Sequence, residues 1–276
     1  MRKIWLAVAV VAMMTMTACQ KETDDDGPVI PPAGTRLMKT VYKSGADSTV
    51  TNYTYNGGGS LSAFAVSGSS GGQPVDLRVT LVRNTSGIIT KQVLKSNEFI
   101  ALGIDSIATV VTYDAGNSRY RHAITSLSFF GFNFTDSLVF NYDAGGKLVS
   151  QIDYLDDGGG MGYQPVSKTE YTYSGNNVQS MKIYSYDVGG YTLEETYTYE
   201  YDNKINPMKF SSDAPILGMA QYYSANNATK STLVSVADPT DNFVADVTYT
   251  YNTADRPLTG TEVISGTMST MLFTYQ

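Results

Sequence analysis

The stretch YTYEYDNKINPMKF, residues 197–210, decides how the chain is read. Tyr197, Tyr199 and Tyr201 alternate with Thr198 and Glu200. A strand sends successive side chains to opposite faces, so a period of two makes one aromatic face and one wet face. Extended back to Tyr191, the aromatic side also carries Leu193 and one exception, Glu195. The alternation stops at Asp202-Asn203-Lys204, a cluster of turn formers, and a strand running into a turn is expected.

The pattern recurs along the chain. It reads YTYNGGGSL at 53–61, VTYDAGNSRY at 111–120, FNYDAGGKL at 140–148, YTYSGNNV at 171–178 and YTYNTADRPL at 249–258. A closing LFTYQ, 272–276, has no turn after it. The template is an aromatic residue, any residue, Tyr, then Asn, Asp or Ser, then glycine, then an apolar residue that opens the return strand. Glycine and asparagine suit it because tight hairpins demand positive φ. Tyr113, Tyr142, Tyr173 and Tyr201 fall roughly 30 residues apart, a spacing typical of repeat arrays. The longer gaps on either side are read as worn units, VRNTSGII at 82–89 and YYSANNATKSTL at 222–233. Two strands per unit give on the order of 16 strands, joined by short turns. The expected fold is all-β, an antiparallel up-and-down meander of YxY-turn hairpin repeats. Because open edges aggregate and twist curls long sheets, the meander is expected to close into one large barrel.

The N-terminus reads as an export signal. Arg2 and Lys3 precede an apolar run, Ile4 to Met14, and a small-residue end at residues 15–18. The run is about half of what a spanning helix needs. MTAC, 16–19, resembles a bacterial lipobox, which implies cleavage before Cys19 and lipidation of its sulfur. Cys19 is the only cysteine, so no disulfide or cysteine metal site is expected. Residues 19–34 follow as an acidic, proline-rich tether, and the folded domain is expected over 35–276. The acidic run from Lys21 to Asp26 resembles the signal that sends Bacteroidetes lipoproteins to the outer face of the outer membrane.

Charge narrows the partners. Removing residues 1–18 takes away Arg2 and Lys3 and no acid, so the formal charge moves from −7 to −9. Such a surface repels phosphate backbones, and nucleic acid is excluded as a partner. Trp5 lies in the signal, whereas all 21 tyrosines lie beyond it, so tyrosine is the aromatic ring available for stacking on a ligand.

The Y-x-Y-D-x-x-G-x-L pattern resembles the YD repeats of Rhs-type proteins, which build β-sheet shells. YEYDNKINPMKF (199–210), SANNATK (224–230), YTYNTADRPLTGTEV (249–263) and FTYQ (273–276) together resemble a family of Bacteroidetes lipoproteins of unknown function with porin-like barrels. The resemblance covers residues 171–276 best and the earlier half only through the general repeat. It implies a barrel and carries over no catalytic residue.

The residues point to no reaction. His122 is the only histidine, and no nucleophile or metal cluster can be built around it, so no enzyme, metal or cofactor is expected. Glu194 and Glu195 are adjacent in a strand and face opposite ways, unlike a glycosidase pair. LDDGGGMGY, 155–163, reads as a glycine turn more than a calcium loop. SLSFFGFNFTDSL, 126–138, is the most apolar patch and is read as one strand buried on both sides. Three functional readings follow. The first is a lipid-anchored outer-membrane protein that binds a glycan or a small amphipathic molecule with Tyr197, Tyr199 and Tyr201. The second is an envelope assembly component with a protein partner. The third is a pore, which requires the aromatic face to meet lipid and the Thr/Glu face to line a wet lumen.

Overall fold

The computed structural model describes residues 35–129, 132–210 and 213–276; the signal, Cys19 and the tether lie outside them. The opening stretch forms the end of a strand, Gly190–Tyr201. It is one of sixteen: β1 Leu37–Ser44, β2 Asp47–Tyr55, β3 Leu61–Ser70, β4 Gln73–Arg83, β5 Ile89–Ser96, β6 Ile107–Asp114, β7 Arg119–Phe129 and β8 Phe132–Tyr142. The second half holds β9 Leu148–Asp156, β10 Gln164–Ser174, β11 Asn177–Asp187, β12 Gly190–Tyr201, β13 Ala228–Ser235, β14 Phe243–Tyr251, β15 Pro257–Ile264 and β16 Thr267–Tyr275. Each strand pairs antiparallel with its sequence neighbours, and β1 pairs with β16, so the sheet closes into a barrel. Closure removes every edge.

The turns at one end share a geometry that explains their sequence. In residues 56–60, 84–88, 143–147 and 252–256 the first residue is Asn or Asp, whose Oδ1 accepts the N–H of the fifth. The fourth residue donates its N–H to the carbonyl of the first and sits at positive φ. That residue is Gly59, Gly87 or Gly146, and in the last turn Asp255 at φ 58°. Just before each strand's last tyrosine the register shifts by one residue, at Tyr55, Tyr113, Tyr142, Tyr173, Tyr201 and Tyr251. Such a bulge re-aims a side chain. Here it lets the tyrosine and the residue opening the next strand both face inward, as in Tyr55 opposite Leu61 and Tyr142 opposite Leu148.

The openers form the tightest ring of the core. Leu37, Leu61, Ile89, Tyr120, Leu148 and Val178 are all at most 3% exposed. Tyrosine hydroxyls lock the ring strand to strand: Tyr55 donates to Leu37 O at 2.8 Å, Tyr173 to Leu148 O at 2.8 Å, Tyr201 to Val178 O at 2.7 Å and Tyr275 to Pro257 O at 2.7 Å. Each bond gives a strand carbonyl at the ring a side-chain donor.

Three expectations are corrected. The connections are not all short: between β12 and β13, residues 202–210 and 213–227 fold into the barrel as a plug. Tyr222 and Tyr223 lie in a 3₁₀ turn of that plug, Ala220–Tyr223, and not at a strand end. The apolar patch 126–138 is not one strand but the end of β7 and the start of β8, with Phe129 paired to Phe132.

Candidate functional site

Inward positions differ between the two halves of the barrel. Toward the end that carries the tyrosine turns, the plug fills the space. Its Met208, Ala214, Ile216 and Tyr222 are buried in one cluster with Tyr53, Leu61, Ile89, Tyr120 and Tyr171 of the wall. Polar contacts fix it there. Arg83 Nη2 meets Asp213 Oδ2 at 2.6 Å with both side chains nearly buried, and Tyr120 OH donates to Asp213 Oδ1 at 2.9 Å. Tyr53 OH lies 2.9 Å from Met208 Sδ. Ser224 Oγ accepts from Val178 N at 3.1 Å, and Asn177 Oδ1 accepts from the N–H groups of Ala225 and Asn226. Asp202 holds the plug's exit through Asn227 Nδ2 at 3.0 Å and through the Tyr251 hydroxyl. The α-helical turn Ala214–Leu217 ends on Gly218 in the left-handed region, which lets the chain reverse inside the barrel.

The other half of the lumen sets polar side chains among apolar ones such as Leu138, Leu155 and Ile183. Tyr42, Asp136, Asp153, Glu195, Tyr197 and Glu262 occupy inward positions there, alternating with outward neighbours in each register. Tyr42 OH donates to Glu262 Oε2 at 2.9 Å. Burial pushes the Glu262 carboxyl above its usual range, against the opposing effect of that bond. Asp136 is pushed up to about 8, first by burial and then by the Asp153 carboxyl facing it from β9. Asp136 Oδ1 is buried without a hydrogen-bond partner among the described residues. In the plugged half the hydroxyls of Tyr142 and Tyr223 are in the same condition. None of these unsatisfied groups carries a signal in the linear sequence, because the strand partner and the plug create the burial.

The three tyrosines expected at a ligand site share an inward face of β12, and the fold separates their roles. Tyr199 is partly buried and packed against the core cluster, and Tyr201 bonds Val178 O and Ser224 Oγ, so both belong to the packing around the plug. Tyr197, half-buried beside Glu195, faces the polar half, its ring stacked on Tyr199 at 6.5 Å between centroids. A shallow recess of about 300 Å³ lies where Tyr199 and Tyr201 meet Glu200 and Asp202. His122 stands on the outward side of β7 opposite Val139. In the loop after β9, Asp156 and Asp157 each accept a glycine N–H two residues on, as turn formers do. Among the described residues no group of three His, Cys, Asp or Glu could hold a metal ion.

The outward positions include charged side chains along the strands, Arg78, Lys91, Lys182, Lys230 and Asp246, beside Thr and Ser and among exposed apolar side chains such as Val82, Val110, Val234 and Leu272. Tyr197, Tyr199 and Tyr201 therefore point in, while the register shift in β12 turns Tyr191 and Leu193 outward, beside Tyr184, Tyr186 and Lys168.

No protein-family model and no curated protein sequence matches the chain. The fold is similar to two solved structures. A porin-like protein from Bacteroides uniformis ATCC 8492 matches with a TM-score of 0.53 and 15% identity, over 90% of this chain and all of that one. A porin-like protein from Bacteroides vulgatus ATCC 8482 matches with a TM-score of 0.53 and 10% identity, over 88% of this chain and 99% of that one. At these identities the likeness is one of fold: an antiparallel barrel of sixteen strands shared with porin-like proteins of Bacteroides.

Proposed function

We propose that this chain is an outer-membrane lipoprotein, anchored through Cys19, whose barrel is a one-ended cup for a glycan or a small amphipathic molecule. The observation that carries the reading is the sidedness of the wall. Apolar and aromatic side chains fill the interior, whereas lysines, arginines and carboxylates stand outward along the strands, interspersed with exposed valines and tyrosines. On a lipid-facing wall each Lys or Arg near the midplane would cost about 2–4 kcal/mol, so the wall suits water and the protein needs a tether to stay at a membrane. The plug closes the end where the described chain begins. Arg36 pairs with Gln276 there, and Arg256 Nε donates to Thr35 O at 2.9 Å. A tether preceding Thr35 leaves from that end and points the polar mouth away from the anchor. Ligand contacts are assigned to Tyr197, Glu195 and the Tyr42–Glu262 pair, with Tyr199 and Tyr201 as the packed floor behind them. The YxY-turn hairpin is the repeating unit of the wall in this reading.

The test is thermal unfolding of the chain carrying Cys19→Ser against oligosaccharides, polysaccharides and small amphipathic molecules. One class is expected to raise the midpoint, since a ligand at 100 times its Kd adds about 2.7 kcal/mol to the folded state. Tyr197→Ala is expected to abolish the shift with little loss of intrinsic stability. Indifference to every compound would overturn the ligand reading.

A further inference from the structure

The two ends of the barrel carry different surfaces, and the difference does not depend on what the lumen binds. At the plugged end, residues 56–60, 84–88, 114–119, 143–147, 174–177, 202–227 and 252–256 hold five acids and five bases. At the open mouth, residues 44–47, 70–73, 97–106, 155–164, 187–190, 235–242 and 264–267 hold eight acids and no Lys, Arg or His. The same mouth carries large apolar side chains in water. Val188 is fully exposed, and Ile100, Leu102, Met161 and Val236 are each more than half exposed. No side chain of that exposure and type lies in the described connections of the plugged end.

Turn geometry does not account for the charge. Asp157, Asp187 and Asp238 each accept a main-chain N–H within their own turns, and Asp47 accepts that of Gly72 in the neighbouring turn, tasks that asparagine performs equally well. The plugged end shows this directly, with Asn56, Asn84 and Asn252 accepting in the way Asp143 does. Core packing does not account for the apolar tips, which touch solvent. An exposed set of apolar side chains within a single-sign field marks an interaction surface.

We infer that the mouth is a docking surface for a cationic protein segment that presents apolar side chains between its lysines or arginines. Charge complementarity selects that occupant. A phospholipid surface, anionic or zwitterionic, offers nothing that neutralises eight carboxylates, and a second copy of this mouth repels the first. Val188, Met161 and Ile100 seat against the partner's apolar groups. Asp105, Asp187 and Asp241, all exposed, pair with its cations and speed encounter.

The test immobilises the full chain by a C-terminal tag, which leaves the mouth free because Gln276 lies at the plugged end. A helical Lys/Leu peptide, a Glu/Leu peptide, a Lys/Ser peptide and phosphatidylcholine and phosphatidylglycerol vesicles are flowed over it. The Lys/Leu peptide is expected to bind at least tenfold more tightly than either control peptide, and to weaken as salt rises. The triple variant Asp105→Asn, Asp187→Asn, Asp241→Asn and the double variant Met161→Ser, Val188→Ser are each expected to lose about tenfold. Asp114→Asn with Asp143→Asn, at the plugged end, is expected to change nothing. Failure to bind the Lys/Leu peptide, or binding indifferent to the mouth variants, overturns the inference. So does vesicle capture that the mouth variants abolish, which would make the mouth a membrane contact instead.

Discussion

Tyr173 illustrates what a tyrosine does here that phenylalanine would not. Its ring packs in the core while its hydroxyl, 2.8 Å from Leu148 O, ties β10 to the first residue of β9. Tyr173→Phe keeps the ring and removes that bond, so a loss of about 1 kcal/mol is expected. For a chain of this size that is a fall of about 2–4 °C in Tm by calorimetry. Asp136 gives a pH signature. Folded Asp136 retains its proton up to about 8, whereas an unfolded aspartate releases it near pH 4. The native state then binds more protons across that window, so this group's stabilisation is fully present below about pH 4 and is lost as pH rises through about 8. Asp136→Asn should flatten that slope and raise Tm at pH 8, while leaving it nearly unchanged at pH 4. An unaltered slope would place the titration elsewhere. At this scale the alternation of Tyr197, Tyr199 and Tyr201 is legible in the sequence and predicts their shared face. That Tyr199 and Tyr201 serve packing and only Tyr197 faces the polar half is not legible, because the plug that buries them is remote in sequence.

The hairpins and the plug differ in how local their causes are. A turn such as 143–147 is determined within five residues: Asp143 Oδ1 accepts from Lys147 N, and Gly146 sits at φ 82°. Gly146→Ala should therefore cost about 1–2 kcal/mol through backbone strain alone, since no atom lies near its missing Cβ. The plug is determined by long-range contacts. Its buried Met208, Ile216 and Tyr222 follow neither a helical nor a strand period, so the sequence pattern reads it as a loop or a degraded hairpin. Arg83 and Asp213 are the partners to test. Asp213→Ala leaves Arg83 nearly buried without its carboxylate and removes the acceptor of Tyr120, at a cost of about 3 kcal/mol. Limited proteolysis should then cut within residues 202–227 at protease levels that leave the parent chain intact. Cleavage spread evenly over the chain would mean that the plug and wall unfold as one unit.

The whole molecule follows from two rules acting together. Alternation commits each strand to one apolar face, and a long antiparallel meander with such a face must bury it, here by closing around it. Strand number and closure were legible because turn signals are frequent and evenly spaced. The direction of the faces was not, since a period of two is the same whether the apolar side meets lipid or a core. It is the charged residues along the outward side, such as Lys182 opposite Glu170 on the neighbouring strand, that distinguish the two. In the proposed reading the lipobox-like Cys19 supplies the membrane anchor that a wall carrying such charges would need. The most direct measurement is the behaviour of the Cys19→Ser chain, freed of its signal, in buffer without detergent. A monomer that elutes at its own mass and unfolds cooperatively is predicted. A chain that dissolves only in detergent and conducts ions across a planar bilayer would contradict the account.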